Sequence, residues 1–250
     1  MEERLASPAA QEHLPPPTVA DGSAAVGDGG SSSLDDPRAL QILSTEHWSL
    51  LSQRSLVYNE AFARAGMFLT FLSASLVALA FVANAMAFSR QFLVLAALLL
   101  FFDLAIGLAT LGRMLDASID DLRSIAGMNR IRNAYVRIAP GVVPYLTAGI
   151  HDDGAGVMAT YGSPKIRGGV AAFVHGLTTA GGMVMVIDTL LAAALGGVIA
   201  IFVGGDMATA FAVGGLAFAA SFAVLNRYAY GVVSGFEGSV TSRFPTPPEA

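Results

Sequence analysis

Three features of the 250-residue chain predict an all-α membrane protein with four transmembrane helices and cytoplasmic helical extensions. Hydrophobic residues make up 54% of it and charged residues only 13%, about half the charged share of a soluble domain. The charges are segregated: Ala65–Gly112 holds only Arg90 and Asp103, and Gly168–Asn226 only Asp188 and Asp206. No stretch alternates apolar and polar residues with a period of two, which sets aside a membrane β-barrel. Two apolar blocks in an otherwise polar chain mark an integral membrane protein.

The elements follow in order. Residues 1–34 contain Pro15-Pro16-Pro17, Gly29-Gly30 and Ser31-Ser32-Ser33 with little apolar content, so a disordered tail is expected. Met1-Glu2-Glu3-Arg4 lacks the apolar core of a signal peptide. Asp35-Asp36-Pro37 reads as a helix start, with acid at the cap and proline in the first turn. The helix over 35–64 places Leu40, Leu43, Leu50 and Val57 on one side as a cytoplasmic or interfacial lead-in.

Ala65–Phe88 is 24 residues without a charge, about 36 Å of helix and enough to cross a bilayer. Ser89-Arg90 is a short connection, and Gln91–Gly112 is the second span of a tight hairpin (65–88 and 91–112). Residues 113–167 are the polar middle. Leu115, Ile119, Leu122 and Ala126 share a helical stripe, so the second span is expected to continue beyond the membrane. After Gly127 the apolar set moves round to Met128, Ile131, Tyr135 and Ile138, predicting a kink or a change of packing partner. Pro140, Gly141 and Pro144 end that helix. His151-Asp152-Asp153-Gly154 reads as a turn capping a short helix towards Tyr161.

Residues 168–232 hold the second transmembrane pair, with spans at about 181–203 and 207–226 separated by Gly204-Gly205-Asp206. Residues 168–180 are expected to be interfacial or an early helical turn, and 233–250 a loose C-terminal tail. Seven basic residues lie in the middle segment (Arg113, Arg123, Arg130, Arg132, Arg137, Lys165, Arg167), against one in the loop after span one and none after span three. Arg38, Arg54 and Arg64 precede span one; Arg227 and Arg243 follow span four. Basic residues stay on the cytoplasmic side, so four spans with both termini cytoplasmic satisfy all three regions.

Glu46-His47-Trp48-Ser49-Leu50-Leu51, Gly127-Met128-Asn129-Arg130-Ile131-Arg132-Asn133-Ala134-Tyr135 and His151-Asp152-Asp153-Gly154-Ala155-Gly156, ending at Thr160-Tyr161-Gly162, carry a family likeness. With the hairpin, they resemble a group of bacterial, largely actinobacterial, four-span membrane proteins of unknown function. The likeness covers about residues 40–165. It implies the four-span architecture and a bacterial inner membrane, and it implies no activity and no site residues. A looser likeness is to SLATT-type two-span effectors of bacterial defence systems, which pair a short hairpin with cytoplasmic helices.

Asp103 and Asp188 are the sharpest candidates. An intramembrane carboxylate costs several kcal/mol unless protonated, paired or facing water. Helical rise puts Asp103 about 14 Å and Asp188 about 10 Å from the cytoplasmic edge, so the two can share a proton or hold a cation. The alternative is a structural hydrogen bond to Thr or Ser on a neighbouring helix.

Two small-residue stripes, Thr189, Ala193, Gly196, Ala200 and Gly204 in span three and Ala208, Ala212, Gly215, Ala219 and Ala223 in span four, permit close helix packing. They serve either the contact between these spans or an oligomer interface. Arg123, Arg130 and Arg137, spaced by seven, form a basic cytoplasmic face; they bind anionic headgroups, a nucleotide or an acidic partner, or are simply solvated.

Cysteine is absent, which excludes disulfides, thiolate zinc sites and iron–sulfur clusters. His151-Asp152-Asp153 reads as a turn rather than a metal site, and no metal or other cofactor is expected. The sequences G-x-S-x-G, H-E-x-x-H and GxxxxGK[ST] do not occur. Basic and aromatic residues are not interleaved as in a nucleic-acid platform. The expectation is a non-enzymatic membrane protein that self-associates in the lipid bilayer, as an oligomer permeable to ions or protons. The alternative is a scaffold or sensor recruiting a cytoplasmic protein partner.

Overall fold

A computed structural model of the chain describes residues 34, 36–161, 176–239 and 241–247, the side chains of 237–239 apart. The polar tail expected over 1–34, Leu34 aside, lies outside the described residues, as do 168–175. The described chain is helical and has no strands. Its α-helices are α1 (Ala39–Met86), α2 (Arg90–Ile138), α3 (Gly154–Thr160), α4 (Ala180–Phe202) and α5 (Met207–Ser239). Four of them, α1, α2, α4 and α5, are long and apolar enough to cross a membrane. The chain is a multi-pass membrane protein.

Lead-in and first span are one helix of 48 residues, about 72 Å long. It reverses direction at Ala87 and Phe88, both in the left-handed region at φ 45° and 54°. Ser89 then caps α2, its Oγ accepting from the Phe92 N–H at 3.4 Å. The return helix α2 has 49 residues and runs unbroken through Gly127. The expected phase change is a packing event: Leu50 Cδ1 lies 3.0 Å from where a Cβ on Gly127 would stand. Helix α2 stops before Pro140, and Pro140–Tyr145 forms a 3-10 turn, since proline cannot continue the hydrogen-bond ladder.

Helices pack in the series α1–α2–α4–α5, with α2 also touching α3 and α5. Phe68 and Leu72 of α1, Leu100, Leu111 and Met114 of α2, and Val184, Met185 and Leu191 of α4 form the intramembrane core. At one end of the bundle the Arg90 guanidinium lies 4.8 Å over the Phe202 ring, tying the start of α2 to the end of α4. A second core, Leu122, Ile125, Ala126, Met128, Val157 and Phe236, forms at the opposite, polar end.

Phe236 corrects the expectation of a loose tail over 233–250. Helix α5 continues past Asn226 to Ser239 because Val232 and Phe236, one turn apart, cover apolar surface. Residues 241–247 are extended and docked rather than loose, for reasons given below.

The small-residue stripes divide. On α4, Thr189 and Ala200 are buried and Ala193 and Gly196 half-buried, whereas Gly204 is exposed at φ 97° and serves the turn. On α5 the expected stripe Ala208, Ala212, Gly215, Ala219 and Ala223 faces away from α4 and is exposed throughout. The buried positions are Ala210 and Gly214, one register over. A Cβ on Gly214 would stand 3.0 Å from the Ala193 carbonyl oxygen, and a Cβ on Gly196 3.1 Å from the Ala217 Cβ. Periodicity finds small-residue faces, but it does not choose between two overlapping ones. Gly214→Leu is expected to separate α4 from α5 and lower the folded yield severalfold. Gly215→Leu, with nothing within 4 Å of its Cβ, should leave the protomer's stability unchanged in a detergent unfolding titration.

Candidate functional site

Asp103 of α2 and Asp188 of α4 are both completely buried. Neither carboxylate has a hydrogen-bond partner on either oxygen, and among the described residues no other buried carboxylate is left in that state. Ser75 of α1, itself buried, neighbours Asp103 with its hydroxyl. Thr189 spends its hydroxyl on the Val186 carbonyl at 2.7 Å. Of the Ser or Thr partners expected under the structural alternative, Ser75 on the neighbouring helix α1 stands beside Asp103.

Asp188 is brought to α2 by an absent side chain. Its carboxylate fills the space that a Cβ on Gly107 would occupy, and Phe68 Cζ lies 2.9 Å from the same point. Gly107 is one turn from Asp103 on the same face of α2. The two acids predicted to meet thus lie on neighbouring helices around one glycine notch, sealed by the apolar core.

A second polar constellation lies at the polar end, and sequence reasoning missed it. Asp121 is 1% exposed and accepts from Arg54 Nε of α1, from the Tyr58 hydroxyl at 3.0 Å and from the Tyr161 hydroxyl after α3. Burial, then the Asp121 carboxylate and Tyr58, push the Tyr161 phenol well above the usual tyrosine range. Asn129 is fully buried. Its amide donates to the His151 and Gly156 carbonyls at 2.7 and 3.2 Å, and its Oδ1 accepts from Arg132 and Thr160 at 2.7 and 3.1 Å. His47 stacks on Tyr135 at 5.9 Å. Residues of 127–135 and 151–161 thus join Arg54, Tyr58 and Asp121 in assembling this polar end.

Comparison with known proteins gives no match. No family model fits the chain, and neither a curated protein nor a solved structure is significantly similar to it.

His151-Asp152-Asp153 acts as a docking loop. Asp153 caps α3, accepting from the Gly156 N–H at 3.0 Å, and also holds the Thr246 hydroxyl and N–H at 2.8 and 3.0 Å. Asp152, 1% exposed, accepts from the Ser242 hydroxyl at 2.7 Å, the Arg243 N–H at 3.0 Å and the Phe244 N–H at 2.8 Å. Among the described residues no group of three or more His, Asp or Glu side chains is arranged to hold a metal ion.

This loop changes the reading of the arginine face. Arg130 pairs with Asp152 at 2.5 Å and donates to the Thr241 carbonyl at 2.6 Å. Arg137 lies 4.8 Å over the Phe244 ring. Arg123 points elsewhere, pairing with Asp120 at 3.3 Å. The seven-residue spacing does not make one solvated basic face: two of the three arginines hold the chain's own C-terminal segment.

Burial would raise the Asp152 carboxyl, but the Arg243 N–H, Ser242, Arg130 and the Phe244 N–H outweigh it and hold the group well below the usual carboxylate range. Docking thus favours the ionised form. Its contribution is complete above the ordinary aspartate range near 4 and is lost only as pH falls through the lowered value. Tail docking is expected to be constant from about pH 8 to about pH 5. Asp152→Ala removes the ionic partner of Arg130 and the acceptor of the Ser242 hydroxyl and two N–H groups, a loss of about 3 kcal/mol, or roughly a hundredfold in the docking equilibrium. Tryptic cleavage after Arg243 reads both effects; equal cleavage of variant and parent would refute them.

Proposed function

We propose that the chain is a non-enzymatic membrane protein that takes up and releases protons at Asp103 and Asp188 inside its helix bundle. One observation carries this reading: two fully buried carboxylates on neighbouring helices, with all four oxygens outside hydrogen-bond geometry. An ionised carboxylate without a partner is costly in a low-dielectric interior, so a structural role alone gives no reason to keep two. A proton suits the site better than a metal cation. Hard divalent cations take six or more oxygen ligands, whereas the notch offers two carboxylates and Ser75.

Such acids face the inside of one protomer, so a permeation path would run within the bundle rather than along the axis of a ring. Self-association belongs to the same proposal, through the outward face of α5 that carries Ala208, Gly215 and Ala219. The positive-inside distribution supports a bacterial inner membrane with both termini cytoplasmic. In that orientation the Asp121 network and the docked tail lie in the cytoplasm.

The test is proton flux into liposomes carrying the purified protein, under an imposed potential and read by an internal pH dye. Asp103→Asn and Asp188→Asn are each expected to lower the protein-dependent rate at least tenfold with unchanged insertion. Parental flux in both variants would overturn the proposal.

A second reading, recruitment of a soluble partner, has one observation in its favour. Trp48, Leu56 and Phe62 on the lead-in part of α1 are 68%, 69% and 51% exposed, more apolar surface than a solvated helix normally presents. Crosslinking from Trp48 replaced by a photoreactive residue in intact cells tests it.

A further inference from the structure

The acid pair and the Asp121 network stand on one face of α2. Eighteen residues separate Asp103 from Asp121, which is five helical turns and about 27 Å. Between them lies a cavity of about 660 Å³ bounded by α1, α2, α4 and α5. Tyr58 and Tyr161, the two phenols on Asp121, line its outer end, and Ser118 and Asn226 also line the cavity. Leu111 and Met185 line its inner end. Leu111 is one turn from Gly107 and Met185 one turn from Asp188, so the cavity stops about one turn short of the acids on both helices. Leu111, Met185 and Phe68, 3%, 6% and 1% exposed, close the gap.

We infer that this cavity is the proton access route to Asp103 and Asp188 from the polar end, with Leu111 and Met185 as its hydrophobic gate. The inference rests on the proton-binding reading above and adds its side of entry. The volume is many times that of one water, and the hydroxyls at the mouth supply hydrogen-bond partners. The inner wall is apolar, the kind of constriction that passes water only transiently and gates by dewetting. At the other end Ala83, Phe92 and Ala96 pack α1 and α2 together with apolar side chains.

The absence of native cysteine makes the route directly readable. Single cysteines replacing Ser118, Leu111, Met185 and Ala83 would be exposed in membrane vesicles of both orientations to a small, membrane-impermeant thiosulfonate, with labelling followed by intact mass. The expected order is Ser118→Cys fastest, then Leu111→Cys and Met185→Cys at measurable rates from the polar side only, and Ala83→Cys unlabelled. Leu111→Cys and Met185→Cys refractory from the polar side, or labelled equally from both, would overturn the route. Filling the cavity with Ala229→Trp is expected to lower Asp188-dependent flux at least tenfold, while an apolar carbodiimide arriving from lipid still modifies Asp188. Unchanged flux in that variant overturns the route and leaves the acid pair standing. Failure of carbodiimide to modify either aspartate overturns the acid pair, and the cysteine rates then judge the cavity alone.

Discussion

Gly107→Val is expected to be the most damaging single substitution in the membrane half of the protein. Its Cβ would land on the Asp188 carboxylate, with Phe68 Cζ 2.9 Å away on the other side, so neither neighbour has room to retreat. Overpacking a tight interior costs about 1–3 kcal/mol or more, and here it also moves a buried carboxylate. Most of the variant should be lost from the membrane fraction, and its midpoint in a detergent unfolding titration should fall sharply. The cause is separable by a double-mutant cycle. Asp188→Ala removes the nearer collision, so Gly107→Ala should cost clearly less in the Asp188→Ala background than in the parent, the Phe68 contact accounting for what is left. The coupling between contacting residues is typically about 0.5–3 kcal/mol. Additive effects would show that the notch at Gly107 is not what seats Asp188.

Asp121→Ala is expected to unfasten the polar end. The substitution leaves the Arg54 guanidinium and the Tyr58 and Tyr161 hydroxyls, all now bonded to one carboxylate, without their acceptor. Removing one partner of a buried ion pair costs about 3–5 kcal/mol. The carboxylate is fully buried while Arg54 retains 33% exposure, so the lower end of that range applies. Hydrogen exchange over α3 and the facing part of α1 should accelerate by about a hundredfold, with the intramembrane helices unaffected. Asp121→Asn keeps an acceptor and should fall between. Ultraviolet titration gives an independent check. Tyr161 is held protonated above the usual tyrosine range, and because that value is raised, the phenol's hydrogen bond is intact below pH 10 and lost only as pH climbs through the raised value. In Asp121→Ala its ionisation should move down towards that of an exposed tyrosine. An unchanged titration would show that Asp121 does not set the environment of Tyr161.

Four spans, the turn near residue 88 and the extension of span two as a polar helix are all legible in the sequence, because charge segregation and hydrophobic periodicity are local properties of the chain. Much of the α1–α2 pairing is legible too. Counting outward from the 87–89 turn sets Phe68 against Gly107, Arg54 against Asp121 and Leu50 against Gly127 to within one residue, and the structure displays each of these contacts. That register brings Asp121 to Arg54 once the hairpin is known. Asp103 and Asp188 announce themselves as charges inside apolar runs.

What only the tertiary structure decided concerns contacts between segments that no local period connects. The seat of Asp188 against Gly107 depends on how α4 leans on α2. The choice between the 210/214 and 208/212/215 faces of α5 depends on which of two overlapping small stripes meets Ala193 and Gly196. The capture of residues 241–247 by Asp152 and Asp153 is a bond network about ninety residues apart in sequence, made largely to backbone N–H groups. Those donors exist at every non-proline residue, so no side-chain pattern could reveal them. Span number and hairpin register follow from the chemistry of neighbouring residues along the chain; the acid notch and the docked tail follow from the fold, which alone sets distant groups within bonding distance.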